Sequence, residues 1–199
     1  MDIEGDKPLP DRPHRKRMRR RENPLDERFI TFSAYLRLPL LESAEVAAML
    51  VAWLAAARAA HGLLLFAWVI MPEHVHVLCR AAGAPWNVVA EAMKTQVARE
   101  ALALWRRADA PILKSLVTGR GRARFWQHGG GFDRNVRDMD EFVRTVKYIH
   151  RNPVERGLVT RPEDWRWSSV RWWMGRREGE LECDPPPGHP KAWERSGFV

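Results

Sequence analysis

The sequence is poor in the residues that mark several common protein classes. Only two cysteines, Cys79 and Cys183, occur in 199 residues. They lie far apart and match neither a disulfide framework nor a thiolate metal site. A reducing, cytoplasmic setting is therefore expected. No apolar run is long enough to cross a bilayer: the longest, LLLFAWVIM at 63–71, falls far short of the roughly 20 residues a helical span needs. The N-terminus is rich in Asp, Glu, Lys and Pro with no apolar stretch behind it, so no secretory leader is expected. Tyrosine is scarce too, with only Tyr35 and Tyr148, which narrows the choice of any tyrosine nucleophile. No internal repeat is evident.

What the chain does have is basic charge. The formal net charge is +8 and the sequence pI about 10.2. Part of the excess is clustered, as RPHRKRMRRR at 12–21 and as a second set through Arg120, Arg122, Arg124, Arg134 and Arg137. Such clusters are an electrostatic footprint for polyanions, most often nucleic acid. A basic run can equally be a solvated tail. With 45% hydrophobic residues the chain still affords a substantial core, and its length suits one domain with tails.

Residues 1–24 are charged, proline-containing and aperiodic, as in a flexible basic arm. RFITFSAYLRL (28–38) alternates like a strand, and places Tyr35 in it. Residues 41–60 carry apolar side chains at helical spacing, with Ser43 as N-cap and His61-Gly62 as the stop. The run 63–71 reads as a buried strand. HVHVLCR (74–80) reads as its antiparallel partner beyond the Pro72-Glu73 turn. A helix follows from Ala84-Pro85 to about Arg107. Residues 122–127 could form a short strand, and Gly129-Gly130-Gly131 a flexible loop. Asp138 or Asp140 caps a helix running to about Arg151. Asn152-Pro153 should end it, because the residue before proline disfavours helical ψ. The order β-α-β-β-α-(β)-α favours an α+β sandwich, helices on an antiparallel sheet. A core domain over 25–174 and a proline-containing tail over 175–199 complete the expected organisation.

Three features carry chemistry. His74 and His76 stand two apart on a strand, so both imidazoles project from one face and could chelate a divalent ion. His-x-His also describes ordinary half-buried histidines. Tyr148 and Asn152, four apart, share a helical face. A tyrosine can be a covalent nucleophile, but its ordinary pKa near 10 makes it weak at neutral pH. A phosphate polarised by metal would compensate. Asn152 could lend a carbonyl oxygen to that metal. Otherwise, Tyr148 is core packing and Asn152 caps a turn beginning at Pro153. Finally, Trp165, Trp167, Trp172 and Trp173 alternate with Arg161, Arg166 and Arg171. They could stack on unpaired bases or cover the sheet.

FAWVIMPEHVHVLCR (66–80) resembles the His–hydrophobic–His strand of one-tyrosine transposases. FWQHGGGFDRNVRD (125–138), YIHRNPVERGLV (148–159) and EDWRWSSV (163–170) are more specifically similar to the REP-associated tyrosine transposases. RFITFSAYLRLPL (28–40) fits as well, so the resemblance spans 28–173. It implies a ferredoxin-like α+β fold and Mg²⁺ or Mn²⁺ held by His74 and His76. Asn152 stands where relatives carry a further ligand, often Gln, and Glu73 stands where Asn is usual, expected to lie off the ligand face, though a carboxylate so near could alter metal affinity. The resemblance implies that Tyr148 attacks single-stranded DNA, giving a 5′-phosphotyrosine and a free 3′-hydroxyl that can rejoin strands. The expected partner is hairpin-forming DNA, the expected state a monomer or homodimer without a membrane, and the expected location the nucleoid. Residues expected to contact DNA are Arg15, Lys16, Arg17, Arg19 and Arg20 in the arm, then Arg120, Arg122, Arg124, Arg134, Lys147 and Arg151. The alternatives are a non-catalytic DNA-binding protein on the same fold and an unrelated metallohydrolase built on the histidine pair.

Overall fold

The first strand, β1 (Arg28–Ser33), is shorter than its sequence pattern predicts. Tyr35–Arg37 leave the sheet as a single 3-10 turn, in which Leu36 and Arg37 take left-handed φ values of 52° and 53°. Tyr35 is thus not a sheet residue, and its N–H donates to the Phe125 carbonyl at 2.8 Å. The computed structural model describes residues 26–81, 83–118, 121–129, 131–176 and 179–187. The expected arm, with Arg15, Lys16, Arg17, Arg19 and Arg20, lies outside the described residues, as does Arg120.

Helix α1 (Ala44–His61) begins at Ser43, whose side chain accepts from the Val46 N–H, and ends at Gly62 in the left-handed conformation. By length and a mean hydropathy of 1.2 alone it could cross a membrane. In this fold about one third of the helix is buried, and Val46, Leu50 and Leu54 form the stripe that faces the common core. Strands β2 (Leu64–Ile70) and β3 (His74–Arg80) form the expected antiparallel pair. Helix α2 (Trp86–Arg107) and the short α3 (Ile112–Leu116) follow.

Residues 122–127 do not form the strand suggested by their sequence. They make only isolated bridges, Val117 with Ala123 and Ala34 with Trp126. The fourth strand is instead β4 (Asp133–Asn135), paired antiparallel with Arg28, Phe29 and Ile30. The sheet order is β2-β3-β1-β4, every pair antiparallel. This is the order of a ferredoxin-like α+β sheet, the edge strands lying outside the two central ones.

Helix α4 (Met139–Glu155) starts at Asp138, whose side chain accepts from the Glu141 N–H. It does not stop at Asn152-Pro153 as predicted. Pro153 lies inside the helix, costing the hydrogen bond its missing N–H would have made to the Ile149 carbonyl. Phe142, Val146, Ile149 and Pro153 form one buried stripe on α4, and Phe142 meets Phe66 of β2 edge-on at 5.4 Å. Burial of that stripe overrides the local preference against helix before proline.

The C-terminal segments extend the packing along β2. Ile70 N–H donates to the Trp167 carbonyl and Ser169 N–H to the Trp68 carbonyl, and helix α5 (Val170–Trp173) follows. Trp165 and Trp173 donate their indole N–H groups to the carbonyls of Ile70 and Phe66 at 2.9 and 2.8 Å. Trp172 is buried, and Trp167 lies half-buried beneath Arg166. Within the expected tail, Asp184 accepts from the Leu65 N–H at 2.8 Å and pairs with Arg58. Part of that tail therefore lies against β2. Cys79 and Cys183 are buried free thiols, and burial pushes both up from the ordinary thiol range.

Candidate active site

Register and alternation assemble the site. Thr31 pairs with His76, and Phe29 with Leu78, so Phe29, Thr31, His74 and His76 project from one sheet face. Lys94 of α2 lies over the Phe32 ring at 4.9 Å, which puts α2 on the opposite face. Helix α4 lies on the histidine side. From it Tyr148 meets the His76 ring edge-on at 5.2 Å between centroids, and Asn152 Nδ2 stands 3.3 Å from His76 Nε2. His74, His76, Tyr148 and Asn152 thus line one cavity of about 600 Å³.

The imidazoles converge, Nε2 to Nε2, at 3.0 Å. Two neighbouring ligands with bonds of about 2.1 Å at right angles stand about 3 Å apart, so the spacing suits a shared cation. Each outer nitrogen has its own partner. His74 Nδ1 lies 3.1 Å from Glu73 Oε1, and His76 Nδ1 lies 2.7 Å from Thr31 Oγ1. An ionised Glu73 only accepts, which puts the His74 proton on Nδ1 and leaves the Nε2 lone pair facing the cavity. Asn152 is buried, and its Oδ1 has no hydrogen-bond partner among the described residues. A half-turn of the amide, whose oxygen and nitrogen are nearly isosteric, would present that oxygen beside His76 Nε2. The donor set, two imidazoles and one amide oxygen, therefore fits a divalent ion. Among the described residues no group of three or more His, Cys, Asp or Glu gathers as a metal cluster.

Electrostatics favour the neutral, ligating form of the histidines. Burial lowers His74 despite the adjacent Glu73 carboxylate. Burial, with His74 and Arg37 nearby, lowers His76 to about 3. Burial works against ionisation of Glu73, but His74 and Arg156 outweigh it and hold its carboxyl below the usual range.

Glu73, expected to lie off the ligand face, does not line the cavity but backs His74 through its outer nitrogen. Besides its bond to His74 it meets the guanidinium of Arg156 at 2.9 Å and that of Arg37 at 3.6 Å. The tight turn before β3 folds its side chain back alongside the His74 ring. Sequence reasoning missed Arg37 and Arg156 altogether. Nothing local singles out Arg37. Arg156 stands eight residues after Tyr148, on the same helical stripe, and is found only once the helix is allowed through Pro153.

The basic residues expected to meet DNA are distributed differently. Arg122 and Arg124 line a larger cavity of about 780 Å³ between α2 and the β1–β4 edge. Arg134 borders a third, of about 350 Å³, together with Tyr148, and pairs with Glu141 at 2.7 Å. Lys147 and Arg151 are exposed on α4 and do not line the histidine cavity. Trp165, Trp167, Trp172 and Trp173 do not line it either.

No protein-family model matches the chain. In sequence it is 25% identical over 104 residues to a REP-associated tyrosine transposase of Escherichia coli strain K12, across 52% of each chain. The chain thus spans about half the length of that curated relative. In structure it resembles a REP-associated tyrosine transposase solved bound to a REP hairpin, with a TM-score of 0.62 and 21% identity, over 80% of this chain and 85% of that one. In sequence over half its length and in fold over most of it, the chain is similar to the REP-associated tyrosine transposases.

Proposed function

We propose that the protein is a metal-dependent nuclease and transposase of single-stranded DNA that cuts and rejoins through Tyr148. The observation that carries this reading is the convergence of the His74 and His76 Nε2 atoms, the Asn152 amide and the Tyr148 ring in one open cavity. His74, His76 and Asn152 would hold Mg²⁺ or Mn²⁺, which would draw charge from the phosphate oxygens and make phosphorus a better electrophile. Imidazoles alone do not select Mg²⁺, which prefers oxygen ligands.

Tyr148 supplies the attacking oxygen. Its O–P bond forms as the bond from phosphorus to the 3′-oxygen breaks. The tyrosine ends as a 5′-phosphotyrosine, and the phenolic proton is balanced by protonation of the released 3′-hydroxyl. The reverse step, with the same or another 3′-hydroxyl, rejoins strands. Arg37 and Arg156, at the rim of the cavity, are suited to hold the flanking phosphates. The solved relative binds a REP hairpin, and hairpin-forming DNA is the partner proposed here.

The test uses labelled hairpin oligonucleotides from the gene's flanks, with Mn²⁺. A covalent protein–DNA band is expected from the unaltered protein and none from Tyr148→Phe, which should still bind DNA. Normal cleavage by that variant would remove Tyr148 from the mechanism. Binding without any adduct from the unaltered protein would favour a non-catalytic hairpin-binding role.

A further inference from the structure

Phe132 is an aromatic side chain left half in solvent, at 50% exposure, on a backbone that has little freedom. The Thr31 N–H donates to its carbonyl at 2.7 Å. The preceding Gly131 sits so close to β1 that an added Cβ would stand 1.5 Å from the Thr31 carbonyl oxygen. Its ring packs edge-on against Phe29 at 5.6 Å, and Phe29 in turn stacks on His76 at 5.4 Å and meets Tyr148 at 5.8 Å. The guanidinium of Arg134 lies over the Phe132 ring, 5.6 Å from its centre.

Its position is as telling as its exposure. Phe132 and Thr31 line both the histidine cavity and the larger cavity beside α2, so the ring stands on the threshold between them. The larger cavity offers Lys94, Arg122 and Arg124 to a polyanion. Of its two acids, Asp133 is engaged with Arg28 at 2.9 Å, which leaves Glu91. A strand whose phosphate enters the histidine cavity and whose continuation follows the basic groove must pass over Phe132.

We infer that Phe132 is a stacking platform for an unpaired nucleobase next to the scissile phosphate, and that the groove of Lys94, Arg122 and Arg124 takes the adjoining single strand. The inference rests on the proposed DNA-cleaving role and adds a second binding subsite to it. A flat aromatic face accepts any base, since every base presents a π surface. Holding the ring in place before DNA arrives spares ordering cost on binding. The platform fixes the strand's course through the site without reading its sequence.

The test compares Phe132→Ala, Phe132→Leu and Phe132→Trp with the unaltered protein. The probes are a blunt DNA hairpin and the same hairpin carrying a single-stranded tract, with 2-aminopurine at each tract position in turn. In the unaltered protein one position should be quenched on binding. The alanine and leucine variants should lose that quenching and bind the tract about tenfold more weakly, with blunt-hairpin affinity unchanged. Tryptophan should retain both. Leucine keeps an apolar contact to Phe29, so its unchanged melting temperature separates stacking from folding. Tract binding and quenching that survive in both the alanine and leucine variants overturn the platform, and a Tyr148-dependent adduct in the same samples leaves the cleaving role standing. A protein that binds neither probe and forms no adduct overturns both.

Discussion

Glu73 joins the His74 ring to the end of the helix that carries Tyr148: its Oε1 lies 3.1 Å from His74 Nδ1 and 2.9 Å from the Arg156 guanidinium. Carboxylates behind a ligating imidazole fix its tautomer and raise its basicity, and their loss typically costs about 10–100-fold in metal affinity. Glu73→Ala is therefore expected to weaken Mn²⁺ binding within that range, read by titration calorimetry. Glu73→Gln, which keeps an acceptor oxygen, should lose less. Unchanged affinity in the alanine variant would mean that other contacts hold the His74 ring.

A second prediction concerns acid stability. His150 is buried with Nε2 2.9 Å from Ser169 Oγ, and burial pushes its pKa down to about 3. An unfolded histidine titrates near about 6.5. The group is neutral in both states above that pH, and its contribution to stability is then fully present. As pH falls from about 6.5 toward 3, the unfolded chain binds a proton that the fold refuses, and stability is lost. At pH 4.5 the loss from this one group is on the order of 3 kcal/mol. Chemical denaturation between pH 7 and 4.5 should show a steep fall in the unaltered protein and a shallower one in His150→Gln. His76, also lowered, contributes with the same sign, so some slope should remain. Parallel slopes in the two proteins would contradict the assignment to His150.

The third prediction separates charge from chemistry. Arg122 and Arg124 line the groove beside α2 and do not line the histidine cavity. If they meet phosphates, each replacement by serine should lower the slope of log affinity against log salt by about 0.7 on single-stranded DNA. The yield of Tyr148 adduct at saturating DNA should stay unchanged. Filter binding over a salt series measures the first, and a denaturing gel the second. A slope that does not move would place the strand elsewhere.

Much of this architecture is readable in the sequence because burial enforces pattern. The β2–β3 hairpin follows from an apolar run, a proline-containing turn and HVHVLCR. The side chain of Ser43 and the backbone of Gly62 mark the ends of α1. Asp138 caps α4 as its position suggests. β4 was not legible: Asp-Arg-Asn has no strand character, and those residues are extended because β1 offers them a partner. The end of α4 was misread since the rule for residues before proline is local, whereas the stripe that buries Pro153 depends on β2. Within the site, the two histidines were legible from strand alternation. The contact of Glu73 with His74 Nδ1 was not, because it comes from a turn that folds the carboxylate toward the ring, and alternation says nothing about turns.

The passage of α4 through Pro153 also couples parts of the site mechanically. Tyr148, Asn152 and Arg156 stand as successive rungs along one edge of a single rod, about 12 Å from first to last at 1.5 Å per residue. The nucleophile, the amide donor and the cation that clasps Glu73 therefore share one set of axes. A small pivot of that rod would withdraw all three together, whereas a helix broken at the proline would let the phenol move and leave the clasp behind.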